Sequence, residues 1–115
     1  MRKKNFKGRC EKRRLEKCMD LCKTYDAIQY AYAEILSTCP EVMEFRCNVY
    51  LEGLEDGDYT TDFVCTKQNG DLMVRECVYR KLIEKPMTVR LLEASRQYWL
   101  RHGVSDWGLV TDAEK

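Results

Sequence analysis

Long apolar runs, proline and histidine are scarce in this chain, which has two prolines and one histidine among its 115 residues. No segment approaches the ~20 consecutive apolar residues that a membrane-spanning helix needs. The charged residues at the start are not followed by an apolar segment of the kind found in a secretory signal. We therefore expect a cytoplasmic protein that has no membrane partner.

The length of 115 residues suits one hydrophobic core and leaves no room for a second domain of ordinary size. Apolar residues make up 44% of the chain, which is enough to fill a packed interior and too many for a disordered protein. The composition thus predicts a single globular domain.

Seven cysteines are present: Cys10, Cys18, Cys22, Cys39, Cys47, Cys65 and Cys77. An odd number without a signal peptide argues against a disulfide framework. Zinc sites usually combine two close pairs such as C-x2-C, and no such pair occurs. Cys18 and Cys22 are spaced for one helix face, but no second pair matches them, and His102 is the single histidine. We expect reduced, mostly buried thiols, and a zinc or redox protein is the least favoured function.

The net charge of +1 is unevenly distributed, since the first 17 residues carry +7 and the remainder carries −6. A basic arm of this kind binds the phosphates of DNA with strong salt dependence. The alternative is a solvated terminus without a ligand. The candidate DNA-binding residues are Lys3, Lys4, Lys7, Arg9, Lys12, Arg13 and Arg14.

Two helices are predicted before any strand. Residues 9–23 are expected to form a basic helix with Leu15, Met19 and Cys22 on one face. Thr24 is the expected cap of a second helix over 25–37, which Pro40 closes. Its buried face is predicted to consist of Ile28, Tyr32, Ile35 and Leu36.

Four strands and a third helix follow. Alternating apolar residues predict strands at 43–51, 59–67 and 72–79, with a loop over 53–58. Asn69-Gly70 predicts a type I′ turn between the second and third strands. Pro86 and Gly103 bound a helix with Leu91, Leu92, Ala94, Tyr98 and Trp99 on its buried side, and 106–111 is the last strand. A strand, helix, strand crossover predicts a mixed sheet covered by helices, in the α/β (α+β) class.

Two acidic residues mark the candidate site. Asp62 and Glu76 lie on neighbouring strands on either side of the predicted turn, so their side chains should meet in the sheet. Glu76 is expected to share a face with Leu72, Val74 and Val78, and an acid on an apolar face is costly unless it is paired or bound to a metal. The pair could hold Mg²⁺, which prefers oxygen ligands; the alternative is an ion pair with Arg46 or Arg75.

These residues resemble a known family. The segments Tyr59-Thr60-Thr61-Asp62-Phe63, Arg75-Glu76-Cys77-Val78, Glu84-Lys85-Pro86 and Trp107-Gly108-Leu109-Val110-Thr111 are similar to motifs of the N-terminal nuclease domain of TnsA-type endonucleases. Those proteins are subunits of heteromeric transposases and belong to the PD-(D/E)XK nucleases. The resemblance covers about residues 25–112 and implies a restriction-endonuclease-like αβββαβ core, preceded here by the extra basic helix.

The resemblance also implies a ligand set. Asp62, Glu76 and the backbone carbonyl of Cys77 would bind Mg²⁺ or Mn²⁺. Gln29 stands where the family has a helix glutamate, with Asp26 as a substitute, and Val78 stands where it has a lysine. The lysine's role would pass to Lys81, Arg80 or Lys85. The predicted catalytic residues are therefore Asp62, Glu76, Gln29 and Lys81.

Two functions follow from this interpretation. The first is a metal-dependent DNA endonuclease of a mobile genetic element, with a basic arm at 1–23 and a nuclease-like domain at 24–115. The second is a catalytically degenerate nuclease fold that binds DNA or a protein partner as an accessory or inhibitor. The expected partners are DNA and a transposase-type protein, and a homodimer is a candidate assembly.

Overall fold

The computed structural model of this protein describes residues 10–54 and 59–112. Their helices and strands, in chain order, are β1 (Glu11–Arg13), β2 (Cys22–Thr24), α1 (Ala27–Thr38), β3 (Val42–Tyr50), β4 (Thr60–Lys67), β5 (Leu72–Cys77), a 3₁₀ helix (Arg80–Leu82), α2 (Pro86–Arg101) and β6 (Trp107–Val110). The protein is therefore of mixed α and β structure, as the sequence predicts.

The main sheet has four strands in the order β3-β4-β5-β6. The first three are antiparallel neighbours, and β6 lies parallel to β5, so that α2 forms the crossover between them. The predicted mixed sheet is confirmed. In the described part of the chain, no helix is long and apolar enough to cross a membrane.

The two helices cover opposite faces of this sheet. Ile28, Ala33 and Leu36 of α1 pack with Phe45 and Phe63 in one core cluster. Trp99 of α2 packs with Leu51, Tyr59, Val74 and Val104 in a second cluster. Any group lying between β4 and β5 is consequently covered by protein on both sides.

The turn between β4 and β5 differs from the predicted type I′ turn. Gly70 has a φ of 93°, whereas Asn69 does not adopt a positive φ. The backbone N–H of Gly70 donates to the Lys67 carbonyl at 2.9 Å, and Asn69 Oδ1 accepts from the Asp71 N–H at 2.9 Å. Asn69 thus contributes a side-chain hydrogen bond to the turn, and only the glycine supplies the left-handed conformation.

The helix boundaries follow from their caps. Pro86 occupies the first turn of α2 as predicted, and Gly103 follows its end with a φ of 83°. For α1 the predicted cap Thr24 is wrong, because Asp26 accepts the Gln29 N–H at 2.8 Å while Thr24 is buried in β2. The predicted buried face of α1 is also wrong at Ile35, which is 57% exposed.

The basic helix predicted over 9–23 is wrong within the described residues. Residues 11–13 and 22–24 instead form the antiparallel pair β1 and β2. Between them the Lys17 carbonyl accepts from Phe45 N–H and the Met19 N–H donates to the Phe45 carbonyl, both at 2.9 Å. The segment therefore pairs with the outer edge of β3, where these bonds to Phe45 outweigh its modest helix propensity.

Candidate functional site

Strands β4 and β5 separate at the position of the two acidic residues. Their pairing ends at Phe63 and Arg75, one step before Asp62 and Glu76. Beyond that step, the Asp62 N–H donates to Glu76 Oε1 at 3.1 Å and the Cys77 N–H donates to Asp62 Oδ2 at 2.6 Å. Carboxylates thus take the place of backbone carbonyls between the strands, and this brings the two acids together as predicted.

Each carboxylate is also bound by a residue outside these two strands. Gln29 of α1 donates from Nε2 to Asp62 Oδ1, and Ser95 of α2 donates from Oγ to Glu76 Oε2, both at 2.6 Å. Asp62 and Glu76 are both fully buried. A hydroxyl-to-carboxylate distance of about 2.6 Å is typical of an ionised acceptor, so negative charge is held here out of contact with water.

Tyr59 shows the influence of that charge. Its side chain is 3% exposed and hydrogen-bonded to Glu76. Burial first, and then the negative charges of Glu76 and Asp62, raise its pKa well above the ordinary value of 10.0. Tyr59 therefore stays protonated and acts as a hydrogen-bond donor to the acid pair.

The orientation of the Gln29 amide is fixed by its two neighbours. Its Oε1 accepts from the Tyr25 N–H at 2.7 Å, so its Nε2 must face Asp62. The sequence-based hypothesis has Gln29 supplying its carbonyl oxygen to a metal. In this arrangement that oxygen faces the Tyr25 N–H, and the group that Gln29 presents to Asp62 is its NH₂, which positions the carboxylate.

Two tryptophans support the site from the α2 side. Trp107 Nε1 donates to Ser95 Oγ at 3.0 Å, and Trp99 Nε1 donates to Thr61 Oγ1 at 2.9 Å. Ser95 is fully buried and lies between Trp107 and Glu76. The sequence pattern did not reveal these roles, because a serine among the apolar positions of a helix face is easily taken for a neutral spacer.

Two further positions, Lys81 and Val78, bear on the predicted role of the lysine. Lys81 is exposed on the 3₁₀ helix, where its Nζ is 5.9 Å from the centre of the Tyr79 ring. Val78, at the lysine position of the resembled family, is buried with 8% exposure, and its N–H donates to the Val110 carbonyl at 2.9 Å.

The basic arm is described only in part. Lys3, Lys4, Lys7 and Arg9 lie outside the described residues, while Lys12 and Arg14 are exposed beside β1. The guanidinium of Arg13 contacts α1, since it donates to the Tyr30 carbonyl at 2.8 Å and lies 3.6 Å from the Tyr30 ring centre. Among these three, Lys12 and Arg14 thus remain the better candidates for phosphate contact.

A second group of side chains was missed from the sequence. The Sγ atoms of Cys18, Cys22 and Cys47 all lie within 4.8 Å of one another, and we call this group the cysteine cluster. Hydrogen bonds from Cys18 and Cys22 lower the pKa of the Cys47 thiol to about 3. The expectation of mostly buried thiols holds for Cys22 and Cys65, which are fully buried, whereas Cys18 and Cys47 are only partly buried.

The donors at the acid pair suit a hard divalent cation. Two carboxyl groups on diverging strands offer oxygen ligands of the kind that Mg²⁺ and Mn²⁺ prefer. The hydrogen-bond donors described above are two backbone N–H groups, an amide, a hydroxyl and a phenol, all of them uncharged. The pair is thus of the chemical kind that binds such a cation.

Comparison of the chain with protein-family models and with curated proteins finds no match.

Proposed function

We propose that this protein is a metal-dependent DNA endonuclease of the PD-(D/E)XK type, related to the TnsA-type enzymes of mobile elements. The observation that supports it most is the convergence of Asp62 and Glu76 on diverging strands, fully buried and directly hydrogen-bonded through the Asp62 backbone. Burying two carboxyl groups side by side is costly, and nuclease chemistry gives a reason to retain them.

In this proposal the chain's own groups have separate roles. Asp62 and Glu76 are the metal ligands, together with the backbone carbonyl of Cys77. Gln29 and Ser95 are positioning residues, since each fixes one carboxylate through a 2.6 Å hydrogen bond. When bound, Mg²⁺ would polarise the scissile phosphate and lower the pKa of the attacking water.

The missing lysine leaves one role to be filled. Val78 is buried, and Lys81 would have to leave the exposed position near Tyr79 to approach the site. If the resemblance is correct, Val78→Lys restores the family's acid-x-Lys pattern and should raise the cleavage rate of the folded variant. An unchanged rate in a folded variant would argue that another group already does this work.

The decisive test is Glu76→Gln, assayed by the nicking of supercoiled plasmid in Mg²⁺ or Mn²⁺. The amide can still accept the Asp62 N–H, and the Ser95 hydroxyl can rotate to accept from its NH₂, so the fold should survive. Asp62→Asn is a poorer choice, because both Asp62 oxygens already accept from N–H donors. Its NH₂ would then face another donor.

We expect Glu76→Gln to lower the cleavage rate by at least about 100-fold, because one charged ligand is lost. Glu84→Gln, an exposed acid ahead of α2, is the matched control and should cut at the wild-type rate. Equal cutting by Glu76→Gln and wild type would refute the site. Folded wild-type protein that cuts in neither metal would refute the endonuclease.

A second candidate function is a nuclease fold that binds DNA without cutting it. It is favoured by Val78 at the lysine position and by the Gln29 carbonyl being used by Tyr25. This candidate predicts a gel shift of plasmid DNA with both strands intact.

The basic arm provides the measurement that tests DNA binding itself. Replacing Lys3, Lys4, Lys7 and Arg9 with alanine should reduce the slope of log K against log salt by about 3 to 4, if each contacts one phosphate. A slope that does not change would remove the arm from the binding surface, whichever of the two functions is correct.

A further inference from the structure

We propose that Cys18, Cys22 and Cys47 form a binding site for a soft divalent cation, of which Zn²⁺ is the physiological example. The site is separate from the acid pair and does not depend on the endonuclease proposal. It rests on two thiols of one segment and a third from a distant strand, with all sulfur atoms within 4.8 Å of one another.

The backbone holds these cysteines in place before any cation is bound. Cys18 forms an isolated backbone β-bridge with Phe45, and Cys47 lies two residues beyond Phe45 on β3. Cys22 begins β2 and is fully buried. The three side chains therefore project from paired backbone, which lowers the entropic cost of assembling a ligand set.

Backbone N–H groups lie beside two of the three sulfur atoms. The N–H of Asp20 donates to the Cys18 sulfur, and the N–H of Lys23 donates to that of Cys47. Such bonds stabilise metal-bound thiolates and orient them, as outer-shell donors do in metal sites generally. They are independent of the closeness of the three sulfur atoms, and they point to the same ligand.

The dimensions suit zinc. With Zn–S bonds of about 2.3 Å, tetrahedral coordination requires sulfur atoms about 3.8 Å apart, which small side-chain rotations achieve from the present separations. Thiolate ligands also select Zn²⁺ over Mg²⁺, because soft donors bind the harder ion poorly. The metals of the two sites would consequently differ.

The fourth ligand would come from solvent. A cavity of about 540 Å³ lies beside Cys47, and its lining includes Asp20, Lys23, Tyr25 and Asn48. A water molecule entering there completes a tetrahedral site. When Zn²⁺ binds, any thiol proton still present on the three cysteines is released to solvent. One Zn²⁺ and three thiolates then give the site a net charge of −1 beside Lys23.

The test begins with wild-type protein that has been reduced and freed of metal. Titration with Co²⁺ should produce a thiolate-to-cobalt charge-transfer absorption that saturates at one equivalent and is displaced by Zn²⁺. Cys18→Ser, Cys22→Ser and Cys47→Ser should each lose or strongly weaken this absorption. Cys39→Ser, a half-buried cysteine outside the cluster, is the matched control and should retain it.

A second measurement avoids the risk that a variant does not fold. Wild-type protein is alkylated with and without Zn²⁺, and the modified cysteines are identified by mass spectrometry. Zn²⁺ should slow alkylation of Cys18 and Cys47 by at least about tenfold and leave Cys10 and Cys39 unchanged. The proposal is overturned by the absence of a cobalt band in reduced wild type, by a band that survives all three substitutions, or by equal alkylation with and without Zn²⁺.

Discussion

Replacing Ser95 with alanine tests whether Glu76 is held as a buried, ionised group. The substitution keeps the side-chain volume nearly constant, so no large cavity is created. It removes the 2.6 Å donor to Glu76 Oε2 and the acceptor of the Trp107 Nε1 hydrogen at 3.0 Å. Its effect on stability therefore reports the worth of these two hydrogen bonds.

The expected loss is about 2 to 3 kcal/mol. A hydrogen bond to a charged group contributes about 1.5–3 kcal/mol, and the half-buried Trp107 N–H adds about 0.5–1 kcal/mol because water can reach it in part. The better helix propensity of alanine offsets about 0.5 kcal/mol of this. For a chain of this size, the loss corresponds to a fall in Tm of about 8–12 °C.

Urea denaturation followed by circular dichroism measures this loss. We expect the midpoint to fall by about 1.5–2 M with an unchanged m value. Ser105→Ala, at an exposed position ahead of β6, should change stability by no more than about 0.5 kcal/mol. A loss for Ser95→Ala as small as that of this control would show that Glu76 is neutral or bound elsewhere, and the argument for a charged site would fail.

A double substitution separates the two hydrogen bonds. Trp107→Phe removes the indole N–H and so removes the group that Ser95→Ala leaves unpaired. The Ser95→Ala/Trp107→Phe variant should therefore be more stable, by about 0.5–1 kcal/mol, than the sum of the single losses predicts. Strict additivity would place the whole effect at Glu76.

Two further predictions concern other parts of the fold. A hydrogen bond from Lys67, and then Arg75, lowers the pKa of Asp106 below its usual 3.8, so its stabilising effect is present above that value and is lost as pH falls through the lower pKa of the folded state. Asp106→Asn should thus lower the free energy of unfolding by about 0.5–1 kcal/mol at neutral pH, after discounting for solvent screening, and by less at acid pH. Glu52→Gln is the control. A loss of stability that does not depend on pH would contradict the ion pair. Asn48 has a φ of 57° and donates to the Lys23 carbonyl at 2.8 Å, so Asn48→Gly should lose less stability than Asn48→Ala by about 1 kcal/mol in thermal unfolding, and equal losses would show that backbone strain is unimportant there.

The convergence of the two acids was predictable because it depends on short-range rules. Strand alternation and a tight turn near residue 70 place Asp62 and Glu76 close together on neighbouring strands. The sequence also predicts the crossover helix from Pro86 and Gly103. These features need no knowledge of contacts between distant parts of the chain, which is why they agree with the structure.

Residues 10–24 were harder to predict for a physical reason. Leu15, Met19 and Cys22 have the spacing of a helix face, but Met19 is 47% exposed and Cys22 is fully buried. The conformation is decided by backbone bonds to Phe45, which is more than twenty residues away. Local periodicity does not contain that information.

Partners of the site residues were missed for the same reason. Ser95 reaches Glu76 across 19 residues, and Cys47 joins Cys18 and Cys22 across about 25 residues of sequence. Sequence motifs for zinc sites are defined by close pairs of cysteines, so they do not detect a cluster whose third member lies on a distant strand. Only the register of β3 against the N-terminal segment shows that these thiols meet.

The two proposed metal sites make a simple chelation experiment ambiguous. A chelator would remove a cation from the cysteine cluster as well as from the acid pair, so loss of cleavage on chelation does not identify the catalytic metal.

The cluster is also linked to the acid pair, because Asn48 follows Cys47 and its Oδ1 lies 3.5 Å from the Gln29 amide that holds Asp62. Glu76 is held from the other side, by Ser95, so disturbance of the cluster should loosen Asp62 more than Glu76. Cleavage that is reduced in Cys22→Ser but restored by excess Mg²⁺ would fit this linkage, whereas Glu76→Gln should stay inactive at any Mg²⁺ concentration.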